Sequence, residues 1–194
     1  MTPDAPAERV VAIAGAAARG GADVIQLRHK TMPRGELLDL ARRVRALLAG
    51  TLFIVDDHVD IALLSEADGV HLGPDDLSVG AARKVAGDRL LVGASASTSQ
   101  QARDAVAAGA DYLGTGPAFP TPIKAEKKVL GPEGIAAIAR MVDVPVFAIG
   151  GIDASNVSRL TAAGIDRVCV IRAVGDARDP EGATRALRAM LYPK

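Results

Sequence analysis

The sequence predicts an α/β fold of the TIM type, a (β/α)8 barrel lacking its first strand, and three observations carry the prediction. Short aliphatic or β-branched runs alternate with longer Ala-rich segments of helical period, and strands flanked everywhere by helices belong to a parallel sheet covered by helices. A near-repeated phrase joins helix to strand, as AARGGADVI, LSEADGV, AAGADYL and TAAGIDRV, with Gly21, Gly109 and Gly164 where a helix C-terminus takes a left-handed residue. Equivalent joints at regular spacing favour a closed barrel over a doubly wound sheet. The count is uneven: eight helices but seven strands can be read, so the first barrel strand is missing, through truncation or through a start placed too late.

Taken in order, an N-terminal helix over 6–20 leads into the first visible strand, DVIQLR (23–28). The strands that follow are aliphatic runs closed by turn residues: TLFIV (51–55), GVHL (69–72), LLVGAS (90–95), DYLGTG (111–116), VPVFAIGG (144–151) and RVCVI (167–171). Helices of the size a parallel crossover needs lie at 34–49, 57–66, 78–86, 98–108, 132–141, 154–163 and 178–191. At 194 residues the chain suits one sizeable core, so residues 1–194 are read as a single barrel domain. A seven-stranded sheet has unpaired edges along an open seam, which call for cover from the N-terminal segment or from a second subunit, as in a homo-oligomer.

Composition narrows the class of partner. With 23 basic and 23 acidic residues the chain has no electrostatic footprint for nucleic acid or an anionic membrane, so a small molecule is expected. No apolar run approaches membrane-spanning length, and MTPDAPAERV lacks the basic start and apolar core of a signal peptide. Cys169 is the one cysteine, which excludes a disulfide framework and fits a reducing cytoplasm. Aromatics make up 3% of the chain, so the core is expected to be Ala-rich helices packed on aliphatic strands.

In a barrel the site forms at the C-terminal ends of the strands, and several of these ends carry polar residues. QLRHK places Gln26, Arg28 and Lys30 at period two, hence on one face, where two cations and an amide suit a phosphate. IVDDHVD and GVHLGPDDL each set an Asp pair beyond a strand, Asp56 with Asp57 and Asp75 with Asp76. Such carboxylates suit Mg²⁺, which binds one or two carboxylates together with substrate phosphates; capping of the helices that follow is the competing role. His58 and His71 match no zinc spacing. AIGGID lets backbone amides approach an anion or serves a plain turn, and Arg172 after CVI adds a charge. GTGPAFPTPIKAEKK (114–128) is a proline-stiffened loop that presents Thr121 and Lys124.

Together QLRHK, DDHVD with ADGVHLGPDDL, GASAST, ADYLGTGPAFPTPIK and VPVFAIGGI resemble thiamine phosphate synthase, from about Ala7 to the C-terminus. That family begins with a strand of the type LYLVTD, which is lacking here. The resemblance implies condensation of a pyrimidine diphosphate with a thiazole phosphate, giving thiamine phosphate and pyrophosphate. It implies that Gln26, Arg28, Lys30, Ser95 and Lys124 contact the pyrimidine diphosphate and that Asp57 and Asp76 hold Mg²⁺. Thr121 and the backbone of Gly151 and Ile171 would bind the thiazole phosphate. Arg28, Lys30 and Lys124 would stabilise the departing diphosphate.

Three positions depart from the family pattern. Asp56 stands where Asn is usual, Ile123 replaces a hydroxyl in the proline loop, and Arg172 replaces a serine, with charge in place of a hydrogen bond. These departures keep open a non-catalytic relative that binds thiazole phosphate. A sister branch that tautomerises a thiazole carboxylate phosphate uses a histidine after the GASAST strand, where this chain has Ser97.

Overall fold

The computed structural model describes residues 1–122 and 128–192, and its seven strands form one parallel sheet in the order β1 to β7. These are β1 Val24–Leu27, β2 Leu52–Asp56, β3 Gly69–Leu72, β4 Leu91–Ser95, β5 Tyr112–Thr115, β6 Val146–Ile149 and β7 Val168–Cys169. Helix α1 (Ala7–Arg19) precedes β1, and α2 (Arg34–Arg45), α3 (Val59–Leu64), α4 (Val79–Ala86), α5 (Ser99–Ala107), α6 (Gly131–Ala139) and α7 (Val157–Ala162) cross between strands. After β7 come α8 (Arg172–Gly175) and α9 (Pro180–Leu191). The sheet curls into a barrel open along one seam, between β1 and β7. No helix among the described residues is long and apolar enough to cross a membrane.

Register follows from side-chain alternation. Phe53, Val55, Val70, Leu72, Val92, Leu113 and Ala148 point outward and are buried against Leu37, Leu40, Ala62, Ala82, Ala102, Ile135 and Leu160 of the helices. Burial of one Leu, Val or Phe contributes about 1.5–3 kcal/mol, so this layer keeps a parallel sheet in one register. The repeated helix-to-strand joints do the same at the bottom of the barrel. Gly21, Gly109 and Gly164 have φ of 92°, 98° and 83°. The Asp that follows in ADGV and ADYL reaches back one strand: Asp68 accepts from Phe53 N at 2.7 Å and Asp111 from Val92 N at 2.7 Å.

The expected elements are present, with local corrections. The helix expected over 57–66 is only α3, because Asp57 takes a left-handed φ of 65° and His58 becomes the N-cap. The helix expected over 154–163 starts at Val157, after a turn in which Asp153 N accepts no helix role but donates to Asn156 Oδ1 at 3.0 Å. The four-residue α8 carries no periodic signal and was not expected. Strand β7 is shorter than 167–171, since it pairs only with β6, through Val168 and Cys169.

The seam is covered from within the chain. The Met1 nitrogen donates to Val170 O at 3.1 Å and Thr2 N to Gln26 O at 2.9 Å, so two residues bridge β1 and the end of β7 at the barrel mouth. Thr2 Oγ1 donates to Arg28 O at 3.0 Å and accepts from Arg28 N at 2.9 Å. Outside, α1 and α9 pack on each other across the gap. Gly20 makes this possible, because a Cβ there would lie 2.5 Å from Glu181 O and 2.7 Å from Thr184 Cβ.

Candidate active site

At the mouth, strand alternation and three loop entries bring charges of both signs together. Gln26 points inward from β1 and donates through Nε2 to Asp56 Oδ1 at 2.9 Å. Arg28 and Lys30 lie just beyond β1, with Arg28 Nε 4.0 Å and Lys30 Nζ 3.2 Å from Asp56 Oδ2. Lys30 Nζ also donates to Asp57 Oδ2 at 2.5 Å. The left-handed turn at Asp57, fixed by its N–H to His71 O at 2.8 Å, aims this carboxylate across the mouth. Such a backbone costs a non-glycine residue roughly 1–2 kcal/mol, a cost Asp bears more readily than most.

Asp76 meets Asp57 from the next strand. The two carboxyl groups face each other and each shifts the other's proton affinity, and Asp76 Oδ2 accepts from Gly73 N at 2.7 Å. Capping accounts for neither residue: His58 and Ser78 occupy the N-cap positions of α3 and α4, and Ser78 takes the amide of Ala81. Asp75, expected beside Asp76, is exposed to solvent.

The carboxylates divide by environment. Burial, then the charge of Asp57, pushes Asp56 up to about 6 despite Lys30 and Arg28. Burial would raise Asp57 too, but hydrogen bonds from Lys30 and Asp76 and the charge of Lys30 hold it below the ordinary value. Asp76 is raised by burial and by its bond to Asp57. Two facing carboxylates are an all-oxygen, anionic donor pair of the kind a hard divalent cation takes.

Deeper in the barrel, inward residues of β3 to β6 form a ring-lined floor. His71 Nε2 lies 3.0 Å from Ser95 Oγ, and Tyr112 stands between His71 and Phe147 with ring centroids 5.5 and 5.6 Å away. On the far side of the mouth, the first half of the proline loop is pinned to the end of β6. Ala118 N donates to Ile149 O at 2.9 Å and Phe119 N to Gly150 O at 3.0 Å. Gly151, at φ 68°, passes so close that a Cβ would lie 2.6 Å from Pro120 O. The Arg159 guanidinium covers the Phe119 ring at 5.2 Å.

A cavity of about 1500 Å³ connects these parts. Gln26, Arg28, Lys30, Asp56, Asp57, Asp76, Ser95, Thr121, Gly151, Ile171 and Arg172 all line it. Ile123 and Lys124 lie outside the described residues. Sequence reasoning missed Asp4, which accepts from Lys30 N at 2.7 Å and pairs with Arg28 at 2.5 Å. Tyr112 and Arg159 were also missed, being masked as ordinary strand and helix residues.

Three comparisons bear on this geometry. The family model described as thiamine monophosphate synthase matches residues 1–174. A thiamine-phosphate synthase of Thermosynechococcus vestitus is 44% identical over 185 residues, 94% of this chain, and one of Pyrococcus horikoshii is 44% identical over 177 residues, 90% of this chain. The chain spans 53% of the length of the first relative and 85% of the second. In structure it superposes on a thiamine phosphate pyrophosphorylase from Pyrococcus furiosus with a TM-score of 0.88 and 40% identity, covering 93% of this chain and 88% of that one.

Proposed function

The chain belongs to the thiamine monophosphate synthase family, and we propose that it condenses a hydroxymethylpyrimidine diphosphate with a thiazole phosphate to give thiamine phosphate and pyrophosphate. One observation carries this reading: Gln26, Arg28 and Lys30 face Asp56, Asp57 and Asp76 across a single mouth, with no helix-capping role left for Asp57 or Asp76. Cations beside a facing carboxylate pair suit a diphosphate that arrives with a divalent metal.

In this mechanism the bond between the pyrimidine methylene carbon and the diphosphate oxygen breaks, the electron-rich ring carries the developing cation, and the thiazole nitrogen attacks the carbon. Arg28 and Lys30 take up charge on the departing diphosphate, a role shared with Lys124 by resemblance. One well-aimed donor contributes about 3 kcal/mol to such a step. Asp57 and Asp76 would hold Mg²⁺, which neutralises diphosphate charge when bound. Ser95 adds a hydroxyl from β4. On the other side, Thr121 and the backbone at Gly151 and Ile171 bind the thiazole phosphate, with the exposed Arg172 supplying charge. The pinned PAFP segment keeps that ligand in line for attack. A biosynthetic enzyme of small phosphorylated substrates belongs in the cytoplasm, the compartment the lone Cys169 also suits.

Purified protein is incubated with both phosphorylated substrates and Mg²⁺. Release of pyrophosphate together with thiamine phosphate is expected. Binding of thiazole phosphate with no turnover would replace the synthase reading with a non-catalytic one.

A further inference from the structure

Tyr112 and His71 form a pair that none of the roles above uses. The Tyr112 hydroxyl lies 3.3 Å from His71 Nδ1, and His71 Nε2 lies 3.0 Å from Ser95 Oγ. Two glycines make the space for this chain of contacts. A Cβ on Gly93 would lie 2.0 Å from Tyr112 Cζ, and one on Gly114 would lie 3.1 Å from His71 Cε1.

The direction of the chain follows from Tyr112. Its ring edges the cavity, yet desolvation by the surrounding protein pushes the phenol well above its ordinary value, with Cys169, Asp56 and Asp111 adding to the effect. The phenol therefore keeps its proton. The protonated hydroxyl donates, and among the described residues His71 Nδ1 is its hydrogen-bond partner. With Nδ1 accepting, the neutral imidazole carries its proton on Nε2 and donates it to Ser95 Oγ. A serine oxygen that accepts this bond has its own proton left to give. The opposite polarity would set two protons against each other between Tyr112 and Nδ1 and spend the serine proton on the ring.

We propose that His71, held in the Nε2–H tautomer by Tyr112, is a positioning residue that turns the Ser95 hydroxyl proton toward the diphosphate of the pyrimidine substrate. The identity of that ligand rests on the synthase reading; the tautomer does not. No bond is made or broken in this role. The hydroxyl is oriented before the substrate arrives, so that its proton is not spent within the protein.

Two measurements test the proposal, and they fail separately from the synthase reading. First, ¹⁵N spectra of histidine-labelled protein, with the His71 signals identified by their loss in His71→Gln, are expected to show the proton on Nε2, and a mixture of tautomers in Tyr112→Phe. A proton on Nδ1 in the unsubstituted protein overturns the proposal whatever the activity. Second, kcat/KM for the pyrimidine diphosphate is expected to fall about tenfold in His71→Leu and in Tyr112→Phe, the worth of one hydrogen bond to a charged group. His71→Gln, whose amide oxygen and nitrogen are spaced like the ring nitrogens, is expected to keep most of the activity. In a Ser95→Ala background, His71→Leu is expected to cost nothing more, and a further tenfold loss overturns the proposal. If His71→Leu does not fold, the near-isosteric Tyr112→Phe decides. Should there be no turnover, affinity for inorganic pyrophosphate with Mg²⁺ is measured by calorimetry, and equal affinity in the unsubstituted protein and Tyr112→Phe overturns it.

Discussion

Lys30 Nζ donates to Asp57 Oδ2 at 2.5 Å, joining a cation from the end of β1 to a carboxylate from the end of β2. The proposed synthase reading gives these two side chains to diphosphate and to metal, so the reading predicts that both are needed. Replacement of Asp57 or Asp76 by Asn is expected to lower kcat/KM at least 100-fold, the scale for loss of one electrostatic stabiliser, and to raise the Mg²⁺ concentration at half-maximal rate. Steady-state kinetics across a Mg²⁺ titration checks this. Unchanged activity and metal dependence would remove both residues from the metal site.

Asp56 is expected to limit stability at neutral pH. Its value in the folded chain is raised to about 6 from an ordinary 3.8, so the folded state holds a proton that the unfolded state has lost between these limits. Stability therefore falls as pH rises from about 4 through 6, by a penalty on the order of 2–3 kcal/mol above that window. Asp56→Asn keeps the acceptor for Gln26 Nε2 and removes the charge. It is expected to raise Tm at pH 8 and to leave it unchanged near pH 3.5.

Gly151 is expected to be needed for its small size and for its backbone. A Cβ would lie 2.6 Å from Pro120 O and 2.7 Å from Phe119 O, at a φ of 68° that side chains rarely adopt. Gly151→Ala must push the PAFP segment off β6. The expected result is a rise in KM for the thiazole phosphate of about tenfold or more, from misplacement of about 1 Å at the ligand. KM for the pyrimidine diphosphate should change much less, and an equal rise in both would indicate general unfolding of the mouth.

Gly20→Ala tests the cover over the seam without touching the mouth. The added methyl meets Glu181 O and Thr184 at contact distances that force α1 and α9 apart. Overpacking of this kind costs about 1–3 kcal/mol, read as a lower urea midpoint, while kcat at 25 °C is expected to hold. No change in the midpoint would show that the two helices are not closely packed.

Much of this protein was determined by its sequence alone. Period-two alternation in short aliphatic runs, Ala-rich crossovers and repeated glycine joints required a parallel barrel one strand short, because each is a local backbone or burial preference that no distant contact overrides. The same alternation put Gln26 inward and Asp56 and Asp57 at a strand end, so most of the mouth could be named before any coordinates. What tertiary structure alone decided depends on chain segments that meet from far apart. Met1 reaches Val170 because curling the sheet brings its two edges together, and Asp4 reaches Arg28 and Lys30 because the N-terminal segment lies along the end of β1. Likewise capping by Asp57 and Asp76 could not be set aside in sequence, and only the left-handed turn at Asp57 and the N-cap places taken by His58 and Ser78 do so. The polarity of Tyr112, His71 and Ser95 was beyond reach of any motif, since it depends on which buried proton finds an acceptor across three strands.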